Sequence, residues 1–152
     1  MKKVAFVVTV ISLLLGVSGK FFHLYASPDD YGDKVISLNS ETFTQKVFDF
    51  ENEDEWNFLG DRPVILDFYA EWCGPCQQLA PILEELQSDY GDRIQIYKID
   101  AEANRDLAAA FGVTAYPTLF FVPLDSEPAG ARGLIPREKL EEIIEDYLGV
   151  TK

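Results

Sequence analysis

The segment PVILDFYAEWCGPCQQLAPILEEL changes its hydrophobic period with almost no intervening turn. Pro63 to Ala70 is a nearly continuous apolar run, the pattern of a strand covered on both faces. From Cys73 to Tyr90 the apolar residues Leu79, Ile82, Leu83, Leu86 and Tyr90 recur at helical spacing. A buried strand that runs straight into an amphipathic helix demands a layered α/β arrangement. Pro81 predicts a kink in that helix, because it offers no amide hydrogen and crowds the preceding turn. The chain's two cysteines, Cys73 and Cys76, both fall on the strand-to-helix junction.

The remaining pattern agrees with such layers. KVISLN is a short strand, and SETFTQKVFDF a helix with Phe43, Val47 and Phe48 on one face. ENEDEWNFLGD reads as an acidic surface turn carrying two aromatics. RIQIYKID is a strand, NRDLAAAFG a short helix ending at Gly112, and PTLFFV a third core strand. PAGARG follows a polar turn and reads as an edge strand. Leu140, Ile143, Ile144, Tyr147 and Leu148 form a last helical stripe, with Pro136 near its first turn and Gly149 past its end. The order β-α-β-α-β-α-β-β-α predicts a central mixed sheet flanked by helices on both faces, with an antiparallel edge. A length of 152 residues allows one such domain with an appendage, and eleven Phe, seven Tyr and two Trp supply a core.

The appendage is amino-terminal. Lys2 and Lys3 precede VAFVVTVISLLLGVSG, a basic start followed by an apolar stretch, as in a secretory signal. As a helix those residues reach about 24 Å, short of a hydrocarbon core of about 30 Å, whereas continuation through FFHLYA would span it. Residues 1–27 are therefore expected to be a signal peptide or an N-terminal membrane anchor, and export is expected in either case. Residues 28–33, within ASPDDYGD, read as a linker, and 34–152 as the folded domain. The formal net charge of −13 excludes the phosphate neutralisation that nucleic-acid binding requires, and also a basic lipid-binding patch.

Two cysteines two residues apart have three readings. A structural zinc site needs about four ligands, and the chain offers two Cys and the single His23, beside the leader. A purely structural disulfide closing so short a loop would constrain the unfolded chain little. The reactive reading has support from position. At the first turn of a helix, unpaired amides and the positive end of the dipole stabilise a thiolate at Cys73. Cys76, one turn on, comes within bonding range, and Gly74 and Pro75 set the turn between them. This arrangement predicts one accessible, activated sulfur with a shielded one behind it. Asp67 lies in the middle of the apolar strand, so either the strand register turns it to solvent or burial raises its pKa.

VILDFYAEWCGPCQQLAPILEEL resembles the active-site segment of the thioredoxin family, and the likeness extends from about Lys34 to Lys152. Asp67 matches the family's buried carboxylate, Pro81 its helix-kinking proline and Lys98 its buried lysine. YPT, Tyr116 to Thr118, falls at its cis-proline loop, and Gly133 at the glycine lining its substrate groove. Several motifs in register are far more specific than a lone C-x-x-C. The resemblance implies a thioredoxin fold, no metal or organic cofactor, and a redox disulfide between Cys73 and Cys76. It implies that Cys73 attacks a protein disulfide, that Cys76 resolves the mixed disulfide, and that Asp67, tuned by Lys98, handles the proton of Cys76. The resemblance also implies a cis bond before Pro117 and a Tyr116 backbone that pairs with the substrate as an added strand. By the same resemblance, Trp72, Gly74, Pro75 and Gly133 are expected to line the docking surface.

With its leader, the chain resembles periplasmic thioredoxin-like proteins, so the resemblance implies a periplasmic reductase that draws electrons from a membrane thiol donor. An oxidase or isomerase of secreted proteins, or a binding module with incidental cysteines, are the alternatives. The chain departs from the family pattern at Tyr69, where a second tryptophan is usual, and at Gln77, in place of a lysine. It departs also at Arg132, a groove position more often apolar, and in the bulkier PLDSEPAG loop.

Overall fold

The computed structural model describes residues 34–152; the expected leader (1–27) and linker (28–33), with His23, lie outside the described residues. The continuous apolar run becomes β2 (Val64–Tyr69), buried along nearly its whole length because it has neighbours on both sides and both faces. Around it lie β1 (Ile36–Leu38), β3 (Gln95–Asp100), β4 (Thr118–Val122) and β5 (Ala129–Arg132), in the order β1-β3-β2-β4-β5. β1 and β2 run parallel to β3, whereas β2–β4 and β4–β5 are antiparallel, so the sheet is mixed with β5 at its antiparallel edge. The helices are α1 (Ser40–Lys46), α2 (Gly74–Tyr90), α3 (Arg105–Ala110) and α4 (Arg137–Asp146), and the element order is the one the sequence predicts.

Strand alternation divides the core into two layers. Leu66, Phe68, Tyr97 and Ile99 join Phe43 and Val47 at α1 and Leu107 of α3. Ile65, Ile96, Leu119 and Phe121 join Leu79, Leu83 and Leu86 of α2 and Leu140 and Ile144 of α4. Each such fully buried aliphatic or aromatic side chain contributes about 1.5–3 kcal/mol of transfer free energy. The same alternation turns Asp67 toward the α2 layer, between Ile65 and Tyr69.

The acidic turn behaves in two ways. Glu51, Glu53, Asp54 and Glu55 are exposed, as expected, yet Trp56 and Phe58 fold back onto the α1/α3 layer. Trp56 lies 4.8 Å from the Phe48 ring and stacks on Phe58 at 6.3 Å. α2 runs unbroken through Pro81, whose missing amide leaves the Gln77 carbonyl without its intrahelical donor. Its far end is tied to β3 by Gln87, whose Oε1 accepts from the Ile96 amide at 2.6 Å while Nε2 donates to the Gly91 and Ile94 carbonyls. Among the described residues no helix is long and apolar enough to cross a membrane.

Candidate active site

Because β2 is parallel to β3 and antiparallel to β4, the ends of β2 and β3 and the start of β4 meet at one edge of the sheet. Tyr69 lies opposite Asp100, and Phe68 opposite Thr118. The chain leaves β2 at this edge, turns through Glu71 and Trp72, and enters α2. Cys73 is the helix N-cap, with extended backbone, and its Sγ accepts a hydrogen bond from the Cys76 amide at 3.2 Å. Gly74 and Pro75 occupy the first two helical positions; proline is tolerated there because those amides have no intrahelical partner. Cys73 and Cys76 form a disulfide with their Cα atoms 5.3 Å apart.

The expected contrast of one accessible and one shielded sulfur is absent, since both cysteines are 4% exposed. Cys73 packs against Ala70 and Cys76, with Tyr69 and Tyr116 alongside. The two differ instead in what lies behind them. Cys76, but not Cys73, lines a cavity of about 170 Å³ with Asp67, Tyr69, Ala70, Glu71, Gln77, Ala80 and Lys98.

Asp67 is 4% exposed, which settles the register in favour of burial. Its Oδ1 is enclosed without a hydrogen-bond partner. Burial raises its pKa from 3.8 to about 7, with Lys98 opposing the rise. Lys98 is its partner across the β2–β3 pairing, half-buried and lining the same cavity. The Tyr69 phenol is likewise raised, first by burial and then by the carboxylates of Asp100, Glu71 and Asp67. Together these groups form a carboxyl held near neutrality in a cavity shared with Cys76.

The Tyr116–Pro117 bond is cis, as expected. Pro117 is buried; its carbonyl accepts from the Gly133 amide at 2.8 Å, and Thr118 Oγ1 donates to the Ala115 carbonyl at 2.8 Å. Gly133 has φ +89°, a conformation that favours glycine, and open space where a Cβ would project. Trp72 does not pack into the core: it is 68% exposed, with its ring edge-to-face with Tyr116 at 6.0 Å. Trp72, Gly74, Pro75, Tyr116 and Gly133 are all at least partly exposed, around or across from the cysteines.

Two features escaped the sequence reading. Gln77 Nε2 donates to the Glu71 carbonyl at 3.0 Å, tying the loop that bears Trp72 to α2. Leu134, next to Gly133, is 43% exposed and extends the apolar surface. A leucine in the connection between β5 and α4, outside both strand and helix, carries no periodic signal. The only available hint was its adjacency to Gly133. Among the described residues no group of three or more His, Cys, Asp or Glu is placed to hold a metal ion.

A mixed sheet between helix layers, with a C-x-x-C disulfide at a helix N-terminus and a cis-proline across from it, defines a thioredoxin. The Thioredoxin family model matches residues 34–146, and the chain belongs to that family. It is a thioredoxin-type disulfide oxidoreductase. The thioredoxin of Borreliella burgdorferi is 46% identical over 115 residues, covering 76% of this chain and 98% of that protein. The thioredoxin of Bacillus subtilis is 40% identical over 85 residues, covering 56% of this chain and 82% of its own. Among solved structures, chloroplastic thioredoxin z superposes with a TM-score of 0.64 at 28% identity, covering 74% of this chain and 93% of that one.

Proposed function

We propose that the chain reduces disulfides of protein substrates in the cell envelope, with Cys73 as nucleophile and Cys76 as resolving thiol. The observation that carries this reading is the asymmetry of the pair: Cys73 caps α2, and Cys76 shares a cavity with the buried Asp67. In the reduced protein the Cys73 thiolate attacks one sulfur of the substrate disulfide, forming a mixed disulfide and expelling the other sulfur as thiolate. Asp67, ionised, takes the proton of Cys76, directly or through one water. The Cys76 thiolate attacks Cys73 Sγ, closes the intramolecular disulfide and releases the second substrate thiol. Two electrons pass from the cysteine pair to the substrate; the proton left on Asp67 passes to one departing substrate thiolate, and the other thiolate takes its proton from solvent. Lys98 tunes the carboxyl, and the backbone of Tyr116 pairs with the incoming strand beside Pro117. Trp72, Gly74, Pro75 and Gly133 form the surface on which it lies.

The Gly-Pro pair between the cysteines supports the reducing direction; thioredoxin lies near about −270 mV, against about −120 mV for a strong oxidant of secreted proteins. The basic and apolar start of the sequence supports export to the periplasm, with residues 1–27 acting as a signal or membrane anchor. Since the periplasm is kept oxidising, the cycle there draws its two electrons from a thiol donor in the membrane. The test is insulin reduction by wild type and Cys73→Ser together with a redox titration of the dithiol. The expected result is activity in wild type alone and a potential near that of thioredoxin. Equal activity in the two proteins, or a potential close to that of the oxidant, overturns the reading.

A further inference from the structure

The docking surface carries one cation that the fold does not use. Arg132 ends β5 and pairs across the sheet with Thr118, the residue after Pro117. The hydrogen bond from the Gly133 amide to the Pro117 carbonyl holds it beside that loop. Ala131 faces the α2/α4 layer, so alternation puts Arg132 on the opposite side, that of Phe120 and Tyr116. Arg62, Arg137, Lys139 and Lys152 each hold a carboxylate. Arg132 is exposed and has no ion-pair or hydrogen-bond partner among the described residues. Arg105, the other arginine near Tyr116, shares its cleft with Glu102. In a chain with twice as many acids as bases, a guanidinium left unmatched at the substrate groove stands out. Its planar fork of donors fits a carboxylate through two parallel hydrogen bonds.

We propose that Arg132 is a specificity-determining residue that favours protein disulfides flanked by an acidic side chain. This rests on the reductase reading above. A strand laid along the Tyr116 backbone carries its next side chains past Thr118, where Arg132 meets an Asp or Glu of the substrate. The chain's overall negative charge repels acidic proteins at long range, so the preference is local and distinguishes sequences around the disulfide rather than whole proteins.

The test uses peptide disulfides with one Glu, Gln or Lys placed one, two or three residues on either side of the attacked cysteine. The quantity read is the ratio of kcat/KM for the Glu and Lys peptides, which cancels any general loss of activity. For wild type the ratio is expected to reach about threefold or more at one position in about 0.01 M salt and to fall toward one in about 1 M salt. Arg132→Gln is expected to lower it to the background value seen at the other positions, and Arg132→Glu to lower it further. A wild-type ratio of one at every position, or one that Arg132→Gln leaves unchanged, overturns the inference alone. If even the Gln peptides are not reduced, the reductase reading falls and this inference with it. The salt response of wild type stands as a test even if a variant does not fold.

Discussion

Asp67→Asn removes the buried carboxyl, and its effect on stability follows from the pKa of the folded state. The carboxyl titrates at about 7 in the fold and at 3.8 in the unfolded chain. Between those values the unfolded state has lost the proton and the folded state keeps it. Stability therefore falls as pH rises through this window, by about 1.4 kcal/mol per unit, and levels off above about 7. The full penalty is about 4 kcal/mol, of which about 2–3 kcal/mol accrues between pH 5 and 8. Asn cannot ionise. Urea unfolding of the oxidised proteins across that range should show wild type losing about 2–3 kcal/mol relative to Asp67→Asn. If the two pH profiles run parallel within about 1 kcal/mol, the carboxyl is not held protonated by burial.

Further outcomes follow from the same geometry. In the reduced protein at pH 7, alkylation should label Cys73 at least about tenfold faster than Cys76, because only Cys73 caps the helix; equal rates refute the assignment of the nucleophile. Gly133→Ala should cost about 1–2 kcal/mol in urea unfolding, from the positive φ alone, since a Cβ there meets open space. A loss below about 0.5 kcal/mol would show that the backbone at this position relaxes freely.

The strands and longer helices were legible because their periods are clean. Val64–Tyr69 has apolar residues on both faces, and α2 repeats Leu79, Leu83 and Leu86 on its buried side. The polar site residues became legible where they broke those periods, as Asp67 does inside VILDFY. Its burial did not follow from the strand alone, because a lone carboxylate in an apolar run leaves open how the strand sits in the sheet. The helix layer over that face of β2 decides it, leaving Asp67 4% exposed. Trp56 and Phe58 were invisible as core because they sit in an irregular segment, where exposed acids mask two inward rings. The equal burial of the two cysteines was missed for a different reason. It depends on Tyr69 and Tyr116, which approach from separate strand ends.

That convergence of strand ends means that the site as proposed belongs to the tertiary structure and not to the C-x-x-C tetrapeptide. The helix cap forms locally, but Lys98 and Pro117 arrive from segments more than twenty residues further along, and only once the sheet has closed. A newly made or unfolded chain therefore carries two thiols of ordinary temper, without the cap and the buried carboxyl that tell them apart. It acquires its appetite for disulfides in the same event that gives it a shape.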